Sequence, residues 1–205
     1  DCLYLNVITP AIDGKKRPVM IWIHGGIFVI GSGSARLYRN YEFVQTQDVV
    51  LVTINYRLGP LGFLYFNDLN ADTTGFDDNV AIRDQVAAVE WVIANIVQFG
   101  GDPSSITLWG QSAGATAVLT LLTVPSLQGK IKGAIAQSPS YHSTWSPEEA
   151  TWNTRRFLQK VGIQEEQLQA LKEIPTYKLI RAAQIICKKG QPLSTRAFVP
   201  TYKTN

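Results

Sequence analysis

Ile106-Thr107-Leu108-Trp109-Gly110-Gln111-Ser112-Ala113-Gly114 is the stretch on which the fold turns. A short apolar run breaks into Gly-x-Ser-x-Gly, and a small-residue, apolar segment with helical character follows over about 113–123. A strand that bends sharply into a helix puts Ser112 at the apex of the bend. The chemistry explains the glycines: positions 110 and 114 must carry no side chain for the turn to close so tightly. A helix starting at the serine also aims its first N–H groups at the place where negative charge would develop on a reacting group.

Working outward, Val19-Met20-Ile21-Trp22-Ile23 and Val49-Val50-Leu51-Val52-Thr53-Ile54 are almost unbroken apolar runs, which suit strands covered on both faces. Residues 3–9 alternate and end at Pro10, and 132–138 read as one more strand. Asp78-Asn79 offers a cap to a helix over about 80–98. In it Ile82, Val86, Val89, Ile93, Ile96 and Val97 recur at helical spacing, and Gly100-Gly101-Asp102-Pro103 ends it. Helical patterns return at 147–161, 165–172 and 177–186. Strands alternating with helices predict an α/β fold, a mostly parallel central sheet with helices on both faces. We expect one domain, with 1–146 as sheet core and 147–205 as a helical insertion.

Composition removes several classes. Apolar residues make 45% and charged residues 17% of the 205, which excludes disorder. A balance of 19 basic and 16 acidic residues, net +3, is too small and scattered to argue for nucleic acid. Two cysteines, Cys2 and Cys187, make no disulfide framework, and two histidines, His24 and His142, give no zinc spacing. We therefore expect no metal and no cofactor. No stretch is long and apolar enough for a membrane span. Asp1 leads straight into a strand pattern, and 198–202 stop without a closing element, so the chain reads as truncated at both ends. No signal peptide is visible, which carries little weight if residues precede Asp1. The cytoplasm is then only a default expectation, and oligomeric state is left open.

His24-Gly25-Gly26 follows the first buried run. Glycine-rich loops at strand ends serve well as oxyanion holes, where two or three backbone N–H groups converge on one oxygen. With the serine turn on a later strand, it completes half of a serine hydrolase. The other half is missing, because in this architecture the acid and then the histidine follow the serine in chain order. Residues 113–141 contain no Asp or Glu, and His142 is the only later histidine. His142 with Glu148 or Glu149 could be considered; a pocket-lining or surface histidine is the plainer reading.

The motifs together resemble the type-B carboxylesterases, the cholinesterase-like branch of the α/β-hydrolases. Asp1-Cys2-Leu3-Tyr4-Leu5-Asn6-Val7 is similar to one family signature, and Gly100-Gly101-Asp102-Pro103 leading to Gly110-Gln111-Ser112-Ala113-Gly114 to the active-site signature. Asn55-Tyr56-Arg57-Leu58-Gly59 and Asp84-Gln85 with Trp91 also match. The tail, with Phe157-Leu158-Gln159 and Gly162-Ile163, is similar to bacterial para-nitrobenzyl esterases. The resemblance implies Ser112 as acyl-ester nucleophile and Gly26, Ile27 and Ala113 as oxyanion donors. It also implies Gly25, Gly110, Gln111 and Gly114 as parts of loop and elbow, and Ser138 as a hydrogen-bonding support. Arg57, Asp84 and Asp102 read as structural. Family members are more than twice as long, with the acid and histidine beyond residue 205. Cys2 would pair with an upstream cysteine in secreted relatives or stay a thiol.

Three positions depart from the family pattern. Ile27 stands where glycine or alanine is usual, and its β-branched side chain resists unusual φ and narrows the acyl side. Gln111 replaces a glutamate, which weakens any case for cationic choline esters. Pro139 replaces a glycine, and nothing physical explains it. The implied function is hydrolysis of small, uncharged carboxylic esters, with a lipase as a variant and a non-catalytic cholinesterase-like adhesion or binding module as the alternative.

Overall fold

The computed structural model describes residues 2–140, 144–188 and 198–202, and for 186–188 the backbone only. The chain divides into two compact units, Asp1–Arg57 with Ile82–Tyr141 and Leu58–Ala81 with His142–Asn205.

The first unit is built on five strands: β1 (Leu5–Ile8), β2 (Arg17–Ile23), β3 (Val50–Ile54), β4 (Gly101–Gln111) and β5 (Gly133–Gln137). Their order across the sheet is β1-β3-β2-β4-β5. β1 runs antiparallel to β3, and the other neighbours are parallel. Ile21 stands opposite Val52 on one side and Leu108 on the other. One face of the sheet thus carries Val19, Ile21, Ile23, Val50, Val52, Ile54, Ile106 and Leu108, all fully buried. The opposite face joins Trp22 and Leu51 to Ile8 and to Val44 of helix α1 (Tyr41–Gln47). Burial of both faces is what the unbroken apolar runs demand.

Chain order fixes the helices. From β2 through α1 the chain steps to β3 on one side; from β4 through helix α4 (Ala113–Leu121) it steps to β5 in the opposite direction. Right-handed crossovers in opposite directions lie on opposite faces. The connection from β3 to β4, which contains helix α3 (Val80–Asn95), passes over β2 in the same direction as α4 and shares its face. β2 therefore sends its chain one way and β4 the other, which opens a crevice at their C-terminal ends, where α/β sheets bind ligands.

Several elements differ from the sequence reading. β4 begins at Gly101, not 106, because Gly101 pairs with Arg17 and Asp102-Pro103 continues the strand. The helix expected to 98 tightens to a 3-10 turn at Ile96–Phe99 before the left-handed Gly100. α1 was not foreseen: of its seven residues only Val44 is buried, too little for a helical stripe. Asn40 caps it, accepting from the Phe43 N–H at 2.9 Å.

Arg17 closes the lower edge of this unit. It is 3% exposed. Its guanidinium donates to both Asp13 oxygens at 2.7 and 2.8 Å, to Asp48 Oδ1 at 2.6 Å and to the Ala11 carbonyl at 3.1 Å. Hydrogen bonding from Arg17 holds both carboxyls below their ordinary value of 3.8. A depressed carboxyl contributes stability that is complete above the ordinary value and lost as pH falls through the depressed one. Asp48→Asn should therefore lower the melting temperature by a constant amount between about pH 5 and 8, with the difference narrowing below about pH 4. Circular-dichroism melts across that range check it; a difference that grows on acidification would contradict it.

The second unit is helical: α2 (Pro60–Phe63), α5 (Pro147–Val161) and α6 (Thr176–Lys188), with a 3-10 segment at Glu165–Glu173. α5 starts with a capping box between Ser146 and Glu149 and stops at the left-handed Gly162. The segment expected as a helix over 165–172 is 3-10, kinked at Gln167. Its buried Leu168 and Leu171 are three apart, the spacing that a 3-10 helix stacks on one face. Phe157 meets Phe198 edge-on at 6.0 Å. Residues 58–81 join this unit: the Tyr65 N–H donates to Thr154 Oγ1 at 3.0 Å, and the Asn79 amide exchanges two hydrogen bonds with the Thr201 backbone.

Candidate active site

Ser112 sits one residue past the end of β4 and caps α4 with φ 56° and ψ −123°. That backbone is left-handed, a conformation costing a non-glycine residue about 1–3 kcal/mol and kept only where the surroundings impose it. They do so here. The Ser112 N–H donates to the Gln137 carbonyl at 2.9 Å, tying the turn to β5. A Cβ on Gly110 would stand 2.5 Å from the Gly114 carbonyl, and one on Gly114 would drive into the Ile23 carbonyl. Both glycines are thus dictated by close backbone approach. Ala113 is the first residue of α4, and an N–H in the first helical turn has no acceptor within its own helix.

The loop leaving β2 lies against this turn. A Cβ on Gly25 would come within 2.6 Å of the Gln111 carbonyl and 3.3 Å of Ser112 Cβ, so only glycine lets the loop approach so closely. Gly26, Ile27 and Phe28 follow with φ of 116°, 51° and 60°. Ile27 does take the unusual φ that its branched side chain resists, and it is 43% exposed. The Val29 and Ile30 N–H groups both donate to the Gly26 carbonyl at 3.0 Å, and the Phe28 side chain is an anchor, 1% exposed.

His24 carries the loop but is itself withdrawn. It is 1% exposed, with Nδ1 2.8 Å from the Gly25 carbonyl and its ring stacked on Tyr56 at 4.5 Å. A carbonyl only accepts, so Nδ1 carries the proton. Burial lowers the pKa of this imidazole, keeping it neutral near pH 7.

β5 brings up Ser138. Gln111 and Gln137 are the last paired residues of β4 and β5, so Ser112 and Ser138 stand side by side one step further on. Ser138 is also left-handed, φ 53°, and exposed. Thr116 on α4 accepts from the Ser140 N–H at 3.1 Å and fixes the chain after it. Gln111 is exposed at the rim.

The structure thus brings Gly25, Gly110, Gln111, Ser112, Ala113, Gly114 and Ser138 together at the crevice between β2 and β4, with Gly26 and Ile27 on the adjoining loop. His142 lies outside the described residues. Arg57 and Asp84 form a bidentate pair at 2.8 and 2.6 Å, with a further bond from the Arg57 N–H, which suits a structural role. Thr116, Tyr56 and Asn55 make contacts to the site's loops; Asn55 and Tyr56 stand in the motif at 55–59, which does not say what they touch, and Thr116 stands in no motif. Among the described residues no group of three or more His, Cys, Asp or Glu is placed to hold a metal, and no helix is long and apolar enough to cross a membrane.

Comparison with known proteins points the same way. The model of the carboxylesterase family matches residues 1–204. The para-nitrobenzyl esterase of Bacillus subtilis (strain 168) is 42% identical over 183 residues, covering 89% of this chain and 37% of that protein. The phenmedipham hydrolase of Pseudarthrobacter oxydans is 41% identical, covering 88% and 35%. Among solved structures, a Geobacillus stearothermophilus carboxylesterase superposes with a TM-score of 0.89 at 44% identity, over 98% of this chain and 41% of that one. The chain therefore spans well under half the length of these relatives.

Proposed function

The chain belongs to the carboxylesterase family, and on that premise we propose that the protein hydrolyses small, uncharged carboxylic esters through an acyl-enzyme on Ser112. The observation that carries this reading is the strained Ser112 turn between β4 and α4, set against the glycine loop of β2.

In the proposed reaction Ser112 Oγ attacks the ester carbonyl and its proton passes to a base. The carbonyl oxygen becomes an oxyanion, met by the N–H groups of Gly26, Ile27 and Ala113. Collapse breaks the C–O bond, and the alcohol leaves with the proton held by the base. Water, deprotonated by the same base, then attacks the acyl carbon and frees Ser112 and the acid. The base and its orienting acid are a histidine and a carboxylate from beyond residue 205. Residues 113–141 offer no acid, and the relatives are far longer than this chain. Ser138 supports the assembly from the end of β5, and no cofactor takes part. The helices of residues 147–205 are a helical insertion on a single carboxylesterase domain.

The reading is tested by turnover of p-nitrophenyl butyrate by the full-length protein. Activity that depends on Ser112 supports it. A folded protein that binds esters without turning them over would favour a binding module instead.

Ile27 should set the size limit of the site. An exposed, β-branched side chain on the oxyanion loop narrows the space about the ester carbonyl, so bulky acids and tertiary alcohols become poor substrates. Ile27→Gly should raise kcat/KM for a tert-butyl ester relative to the n-butyl ester by about tenfold, the worth of one or two methylenes in a pocket. Competition between the two esters measures it, and an unchanged ratio would remove Ile27 from substrate selection.

A further inference from the structure

The β2 loop holds three successive positive-φ residues, Gly26, Ile27 and Phe28, two of them not glycine. Backbone of this kind persists only when its ends are fixed from outside. Both ends are fixed by consecutive residues at the end of β3. At the start of the loop, the Tyr56 hydroxyl donates to the His24 carbonyl at 2.7 Å, while the Tyr56 ring carries the stacked imidazole. At the far end, Asn55 Oδ1 accepts from the Gly33 N–H at 2.8 Å and from Ser32 Oγ at 3.3 Å. A Cβ on Gly33 would fall 2.5 Å from the Ile54 carbonyl, so that foot of the loop also sits hard against β3. Tyr56 is 3% exposed, and its ring does not move without the core moving.

We propose that Asn55 and Tyr56 are positioning residues of the oxyanion loop, a two-point clamp that aims the Gly26 and Ile27 N–H groups at the developing charge. This rests on the reading of Ser112 as nucleophile. The clamp acts through His24 and Gly33 and touches no reacting atom. It spans the strained segment with one anchor on each side, so loosening either anchor lets the loop relax toward ordinary φ and turns the donors away. Donors that meet only the transition state govern kcat and leave ground-state binding alone.

The test uses the full-length protein, with kcat expressed per site titrated by a fluorophosphonate. Tyr56→Phe removes one oxygen and keeps the ring, and Asn55→Leu removes the acceptor at similar volume. Each should lower kcat by about 10- to 100-fold, the effect of misplacing an oxyanion donor, with KM within about twofold. Affinity for a trifluoromethyl ketone, whose adduct carries the oxyanion, should fall in parallel. Asn55→Asp keeps an acceptor for Gly33 and Ser32 and should recover most of the loss. Residues that only support folding would lower the melting temperature and the titratable fraction while kcat per site and inhibitor affinity stayed put, and that pattern overturns the clamp. Wild-type turnover that survives Ser112→Ala would overturn the nucleophile reading, and the clamp with it. Turnover lost in Ser112→Ala but unchanged in both clamp variants would overturn the clamp alone.

Discussion

Ser112→Ala is expected to lower kcat toward p-nitrophenyl butyrate by about four to six orders of magnitude, with KM changed little. The size follows from how the parts depend on one another. Without Oγ no acyl-enzyme forms, and the base has nothing to deprotonate but water. Only substrate binding and the N–H groups of the oxyanion loop then remain, and in serine hydrolases such a remnant still exceeds the uncatalysed rate by about 10³–10⁴. The fold should be untouched or slightly relaxed. Ser112 spends its N–H on the Gln137 carbonyl, a backbone bond that alanine keeps. Steady-state kinetics at saturating ester, beside a thermal melt of the same preparation, check both halves. A variant within tenfold of the parent would place the chemistry elsewhere.

Gly114→Ala should be among the most damaging single methyls in the described residues. The added Cβ would be driven into the Ile23 carbonyl and stand 2.9 Å from the His24 carbonyl. Both obstacles are backbone, so no rotamer change relieves the clash. Either α4 lifts off the sheet or β2 bends at its end, and both disturb a face whose Ile21, Ile23 and Leu108 are fully buried. The expected loss is on the order of 4 kcal/mol, the range reserved for overpacking with no escape. It would appear as an early-melting or insoluble product. Gly14 serves as control: its φ is +78°, a strain that Gly114 does not carry, but a Cβ there meets nothing within 4 Å. Gly14→Asn should cost under about 1 kcal/mol, since asparagine tolerates that backbone. Equal damage at both positions would mean that loss of a glycine anywhere, and not contact with β2, decides the effect.

What could be read from the sequence followed the range of the interactions responsible. The Ser112 turn is legible because its signature lies within nine residues, Ile106 to Gly114: an apolar strand, two spaced glycines and the start of a helix. Buried strands β2 and β3 were equally plain, since two covered faces leave no polar alternation. The sequence alone makes β4 too short because Asp102-Pro103 looks like a stop, whereas pairing of Gly101 with Arg17 extends the strand across a gap in sequence. The 3-10 segment at Glu165–Glu173 reads as an α-helix in the sequence because Leu168 and Leu171 fit either period over so few turns.

At the site, Ile27 was visible as a misfit for unusual φ, and the left-handed backbone it nevertheless adopts depends on anchors far away. The hydroxyl of Tyr56 reaches the His24 carbonyl across 32 residues, and Asn55 reaches Gly33 across 22. Such contacts exist only once β3 lies beside β2. The motif at 55–59 marks these residues without saying what they touch, and a tyrosine after a strand reads as core until its hydroxyl is seen to have a partner.

The central claim is that Ser112 becomes acylated. It is met most directly by treating the full-length protein with a fluorophosphonate, a tetrahedral mimic of the ester intermediate, and mapping the adduct by peptide mass spectrometry. The account predicts one adduct per chain, on Ser112 within the peptide that contains Gly110 to Gly114, and none in the Ser112→Ala protein. An adduct on another residue, or equal labelling of the variant, would contradict it.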